Sequence, residues 1–220
     1  MSNNIICLEN VSKSFDNGKT AALKDINLQI REGAFVAIMG PSGSGKSTLL
    51  NIIGTLDTPD SGNVMISGVD ILKLKDLNEF RRKTIGFVFQ LHNLIPTLTS
   101  RENVEVPMYG TGLKPGEMKI RALELLKSVG LENMADKKPN ILAGGERQRV
   151  AVARALANKP KIILADEPTG AFDTKNGEII LKLLQNHQKT LNTTLIMVTH
   201  EKSIAKQADH IINILDGQIK

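Results

Sequence analysis

Residues 40–48 carry the plainest chemistry in the chain: Gly40, Pro41, Ser42, Gly43, Ser44, Gly45, Lys46, Ser47 and Thr48. The glycines let the backbone turn sharply and approach an anion with no Cβ in the way. The loop's N–H groups, with the N-terminus of a following helix, then point at a polyphosphate. Lys46 reaches the β- and γ-phosphates, and the Ser47 hydroxyl offers an oxygen to Mg2+. A glycine-rich turn alone binds nothing, so the flanks decide. An apolar run at 35–39 reads as a strand into the loop, and Leu49, Leu50, Asn51, Ile52 and Ile53 read as a helix out of it. That is the order a phosphate-binding loop requires. The stretch predicts a site for a nucleoside triphosphate.

A second run, Ile162, Ile163, Leu164 and Ala165, ends in Asp166, Glu167 and Pro168. Continuous hydrophobicity marks a strand buried on both faces, as in a parallel sheet. Acids at its tip lie where open α/β sheets place their ligands. Asp166 suits Mg2+ held through water, and Glu167 suits the proton of the water attacking the γ-phosphate. Helix-capping acids are the plainer alternative, and the phosphate loop upstream favours the catalytic reading. His200 ends another buried run, 193–200, on the same sheet edge. His92, His187 and His210 lack such placement and read as surface or structural residues. Gln90 closes the run 84–90, where a rigid strand would position it. Phe15, before an Asp16-Asn17-Gly18 turn, is either a strand-end hydrophobe or a ring for adenine. Gly144 and Gly145 open a helix with an Ala/Val face and an Arg-rich face. They form either a second anion-facing N-terminus or a flexible turn.

The elements that must position these residues follow from periodicity and punctuation. Residues 5–30 read as an antiparallel hairpin, residues 62–68 as a short exposed strand and residues 76–83 as a polar helix. From 91 to 140 prolines punctuate short helical pieces. The best of them spans 117–129, with Ala122, Leu125, Leu126 and Val129 on one face and Gly130 as its stop. Helix from about 174 to 191, strand at 193–199 and a last strand at 211–215 complete the chain.

At 220 residues with 41% hydrophobic and 23% charged residues, the chain suits one α/β domain with an insertion. A single cysteine, Cys7, excludes an internal disulfide framework and reads as a small buried hydrophobe. No apolar stretch approaches the roughly 20 residues that span a bilayer, and the N-terminus lacks the pattern of a signal peptide. A cytosolic location is expected unless a membrane partner recruits the chain. The net charge of +5 is dispersed among nearly as many acids. It reads as a solvated surface, with no nucleic-acid partner expected.

Taken in order, residues 40–48, Gln90, Leu142 with Ala143, Gly144, Gly145 and Glu146, Asp166 with Glu167, residues 170–173 and His200 resemble the ATP-binding cassette (ABC) ATPases over essentially the whole chain. The resemblance implies a P-loop NTPase (RecA-like) α/β fold as a single domain over 1–220. A mainly parallel core sheet would carry an N-terminal antiparallel β subdomain and an inserted α-helical subdomain at about 91–157. It also implies roles. Phe15 would stack on adenine, Lys46, Ser47 and Thr48 would bind phosphates and Mg2+, and Gln90 would contact Mg2+ or the attacking water. Glu167 would be the general base and His200 would contact the γ-phosphate. Asp173 would help join two protomers, and residues 142–146 would be the signature that binds ATP held by the opposite protomer. The residues around Gln90, with Asn93, Leu94, Ile95 and Pro96 and then Glu102, Asn103 and Val104, look like the subgroup serving macrolide efflux, lipoprotein release and antimicrobial-peptide export.

The implied protein is a transport-coupled ATPase subunit, peripheral on the cytoplasmic face of the membrane. It would close as a head-to-tail ATP dimer and drive a separate permease docked near residues 91–107. Ala143 departs from the family's usual Ser, and the missing hydroxyl removes a charge-assisted bond worth about 1.5–3 kcal/mol. A cell-division ATPase acting on a non-transporting membrane partner is the near alternative. A soluble ABC protein acting on nucleic acid lacks its usual coiled-coil insertion here, and a phosphate-loop kinase would not need residues 142–146.

Overall fold

Ile6, Leu8 and Val11 alternate with more exposed residues, as do Leu23, Ile26 and Ile30 further on, and all six are essentially buried. That near-alternating pattern, offset where bulges shift the register, pairs β1 (Asn4–Phe15) with β2 (Thr20–Arg31) as an antiparallel hairpin. In the computed structural model, which describes residues 3–170 and 174–220, the expected turn closes the hairpin. Asp16, Asn17 and Gly18 all take positive φ, and the Gly18 N–H donates to Phe15 O at 3.1 Å. β4 (Ser61–Ile66) pairs with the other edge of β1, followed by β5 (Val69–Asp70), in the order β2-β1-β4-β5. The strand expected to be exposed is half buried, because Val64 and Ile66 point into the core while Asn63 and Met65 face solvent. Cys7 is likewise half-buried rather than buried.

The second sheet has the order β10-β9-β3-β8-β7-β6. Its members are β3 (Phe35–Met39), β6 (Ile85–Val88), β7 (Ile162–Asp166), β8 (Thr194–Val198), β9 (His210–Leu215) and β10 (Gln218–Ile219). All run parallel except β10 at the edge. Alternate side chains of β7 and β8 enter different cores. Ile163, Ala165, Leu195 and Met197 pack with the helices. Ile162, Leu164, Ile196 and Val198 pack toward the first sheet, with Leu49 and Ile52 of α1 (Lys46–Ile53) between them. Each fully buried Ile or Leu contributes about 1.5–3 kcal/mol, which holds the strand tips rigid.

Between the sheets' strands lie α2 (Leu77–Thr84), then α3 (Ser100–Glu105), α4 (Pro115–Ser128) and α5 (Gly144–Ala155). The expected face of α4 is buried at Ala122, Leu125 and Leu126, with Val129 just beyond, and Gly130 ends it at φ +71°. A capping box starts α3: Thr99 Oγ1 accepts the Glu102 N–H, and Glu102 Oε2 accepts the Thr99 N–H. α6 (Thr174–Leu191) and α7 (Lys202–Ala205) complete the described chain. Among the described residues no helix is long and apolar enough to cross a membrane.

Candidate nucleotide-binding site

The loop at 40–45 leaves the C-terminal end of β3 and becomes α1. Two of its glycines are required by their surroundings. At Gly40 a Cβ would sit 2.1 Å from Ile214 O, and at Gly45, with φ +105°, it would sit 2.4 Å from Ala22 O. Any larger residue would push the loop off the neighbouring backbone. Lys46 opens α1, nearly buried, and its ammonium donates to Gly40 O at 2.9 Å and Pro41 O at 2.8 Å. The cation is thus held inside the loop it would serve. Ser44 is buried, and its hydroxyl has no hydrogen-bond partner among the described residues.

Facing this loop are the tips of β7 and β8. Asp166 ends β7, with the Ser47 hydroxyl near its carboxyl. Burial pushes the Asp166 carboxyl above its ordinary value, and the neighbouring Glu167 charge adds to this. The Ser47 hydroxyl and the charges of Lys46 and His200 pull the other way. Glu167 follows with φ +44°, an unusual conformation for a side chain of this size, and its N–H donates to Val198 O at 3.0 Å. The adjacent strand therefore fixes the backbone of the acid. Its carboxylate is held at both oxygens: His200 Nε2 lies 2.7 Å from Oε1, and Gln90 Nε2 donates to Oε2 at 3.2 Å. Gln90, Glu167 and His200, widely separated in the chain, converge on one carboxylate.

Phe15, Ser42, Gly43, Gly45, Lys46, Ser47, Thr48, Glu167 and His200 line one cleft of about 310 Å³. Phe15 is 42% exposed there, with the Lys13 ammonium 5.4 Å from its ring centroid. A larger cleft at 78–158 lies elsewhere, so size alone does not locate the chemistry. None of Leu142, Ala143, Gly144, Gly145 and Glu146 lines the cleft. Leu142 is buried in the helical core and Ala143 is the N-terminal cap of α5. Glu146 Oε2 accepts the Ala143 N–H at 2.8 Å, but the alanine has no oxygen to return the bond. Asp173 lies outside the described residues.

Three side chains near the site escaped the sequence reading. The His92 ring, expected to be surface or structural, has Nε2 3.1 Å from Gly144 O. Arg154 donates to His92 O and Asn93 O, both at 2.6 Å. Gln148 donates to Phe89 O at 3.2 Å and to Pro168 O at 3.0 Å. Gln148 had a usable signal: it sits in helical register with Ala151, Val152 and Ala155 on the apolar face of α5, where an amide needs partners.

Comparison with known proteins agrees with this geometry. The profile of the ABC transporter family matches residues 23–170. The ABC transporter ATP-binding protein YvrO of Bacillus subtilis is 51% identical over 219 residues, covering 98% of this chain and 95% of the relative. The lipoprotein-releasing system ATP-binding protein LolD of Bacteroides thetaiotaomicron is 49% identical, covering 98% and 99%. Among solved structures, the dimeric post-hydrolysis state of the cassette MJ0796 bound to ADP and Pi superposes with a TM-score of 0.90 at 50% identity, covering 98% of this chain and 96% of that one. MJ0796 comes from Methanocaldococcus jannaschii. At this identity over nearly its full length the chain belongs to the ABC transporter family, as an ATP-binding protein whose reaction is the hydrolysis of ATP to ADP and phosphate.

Proposed function

We propose that this chain is the ATPase subunit of an exporter-type ABC system, working as a head-to-tail pair that closes on two ATP molecules and drives a separate membrane permease. One observation carries the dimer. The cleft contains the phosphate loop, Glu167 and His200, whereas the glycine-opened N-terminus of α5 lies outside it. A second copy would bring its residues 142–146 over the cleft, with Asp173 helping to join the two. The dimeric form of the MJ0796 cassette supports this, as does the match to LolD and to the macrolide export protein MacB of Brucella melitensis, 50% identical over 98% of this chain and 34% of MacB. Within the single domain, residues 91–157 form the helical part that carries the signature.

The residues fit Mg2+. Ser47 and Asp166 place a hydroxyl and a carboxylate together as hard oxygen donors. Two such oxygens suit an ion held by one or two protein groups and substrate phosphates. Mg2+ there would neutralise developing charge on the β- and γ-phosphate oxygens. Loop N–H groups and the α1 N-terminus bind the phosphates, and Lys46 turns from Gly40 O and Pro41 O to them. Phe15 offers its exposed face to adenine. Glu167, held on both sides, accepts the proton of the attacking water. His200 reaches the γ-phosphate, and Gln90 responds to whatever occupies the site.

Ala143 tests the role of the signature. Replacing it with Ser adds a donor toward the partner's γ-phosphate and completes the capping box with Glu146. Ala143→Ser is expected to tighten ATP-driven dimerisation about tenfold, read by ATP titration in a Glu167→Gln background. Weakened dimerisation would contradict the assignment.

Leu91 and Tyr109 are well exposed and Ile95 partly so. Asn93 and Pro107, from the same segment of the chain, line a cleft of about 530 Å³ with Arg81, Arg82, Phe87 and Phe89. A groove lined by both arginines and phenylalanines, on a segment that also exposes apolar side chains, fits a short amphipathic helix of the permease. Ile95→Cys in a Cys7→Ser background is expected to cross-link to a membrane subunit in native membranes. Absence of any such product would oppose docking on this surface.

A further inference from the structure

Gln148 lies at the crossing of the elements that must act together. It is fully buried on α5, one turn beyond the glycines of the signature. Its single amide nitrogen donates to two carbonyls from distant parts of the chain, Phe89 O at 3.2 Å and Pro168 O at 3.0 Å. Phe89 immediately precedes Gln90, and Pro168 immediately follows Glu167. Gln90 and Glu167 are themselves joined by a 3.2 Å hydrogen bond. The amide therefore closes a short circuit of backbone and side-chain bonds around the proposed base.

The rest of α5 reinforces the circuit. Arg154 grips His92 O and Asn93 O, while the His92 ring returns to Gly144 O at the helix start. The loop after Gln90 is thus fastened to α5 at both ends of the helix. Gln148 extends that fastening to the segment of Glu167. Gln148 Oε1 has no hydrogen-bond partner among the described residues. A buried amide that stabilised α5 alone would satisfy itself within one element; this one spends its donors across two strand tips.

We infer that Gln148 is a positioning residue for hydrolysis, transmitting the placement of the signature helix to Gln90 and Glu167 of the same chain. Displacement of α5 when its N-terminus meets the partner's ATP would then reset the base in this chain's own cleft. This rests on the reading of Glu167 as the base and of residues 142–146 as the partner-facing signature. Phosphate binding by residues 40–48 does not pass through Gln148, so the effect belongs to turnover rather than to affinity.

The test is steady-state ATPase kinetics of Gln148→Met, which keeps the volume and removes both donors, with thermal unfolding measured alongside. A kcat lowered at least about tenfold, KM for ATP within about twofold and a midpoint within about 5 °C of wild type are expected. Gln148→Asn keeps the amide but shortens its reach by one methylene, and is expected to be similarly slow. Gln148→Met combined with Glu167→Gln is expected still to form the ATP dimer. Wild-type kcat in either single variant would overturn the inference, as would a kcat loss matched by a rise in KM or a collapse of the midpoint. Failure of Glu167→Gln alone to dimerise would instead remove the sandwich reading and leave the kinetic result to judge Gln148.

Discussion

Replacing Glu167 with Gln is expected to lower kcat for ATP hydrolysis at least about 100-fold, the usual scale for loss of a general base. The substitution keeps the size of the side chain and an oxygen that can accept from Gln90 or His200. It removes the charge proposed to take the proton. The backbone at φ +44° is unaffected, since it is fixed by the bond to Val198 O. Binding of ATP should therefore survive. Phosphate release measured under single-turnover conditions checks the prediction, and near-wild-type release would show that the proton goes elsewhere.

Lys46→Met should act on the other side of the reaction. Its ammonium is nearly buried against Gly40 O and Pro41 O and is the cation built into the loop. Removing it takes away charge-assisted bonds to phosphate worth about 3 kcal/mol, roughly two orders of magnitude in affinity. Met preserves the aliphatic stem, so the fold should persist. Titration with a fluorescent ATP analogue would detect the loss; unchanged affinity would mean that the loop's N–H groups alone hold the phosphates.

Local pattern made much of this site legible in advance. The glycine loop between an apolar strand and helix announced itself because backbone close approach admits nothing but glycine at Gly40 and Gly45. The acid-tipped β7 was legible because a strand buried on both faces shows unbroken hydrophobicity. What escaped was set by contacts between distant segments. The family resemblance, not periodicity, groups Gln90, Glu167 and His200 in one site, and only their mutual bonds, which depend on strand order, went unread. The binding of the His92 ring to Gly144 O depends on how the loop after β6 folds over α5. Residues 62–68 misled for a local reason: a six-residue strand with only two inward side chains looks exposed until its partner β1 is known.

Ala143 gives the site its particular character. The family's usual hydroxyl is missing at the position where α5 would meet a partner's γ-phosphate, and Glu146 caps the helix from one side alone. In the proposed pair, closure would then rest more heavily on the N–H groups of Gly144 and Gly145 and on the phosphate loop opposite. On this proposal the cleft is half of a site, completed by a second copy of the chain. Size-exclusion chromatography with light scattering on Glu167→Gln tests it most directly. In saturating Mg-ATP a dimer is expected that reverts to monomer when nucleotide is removed; a monomer in Mg-ATP would overturn the shared site.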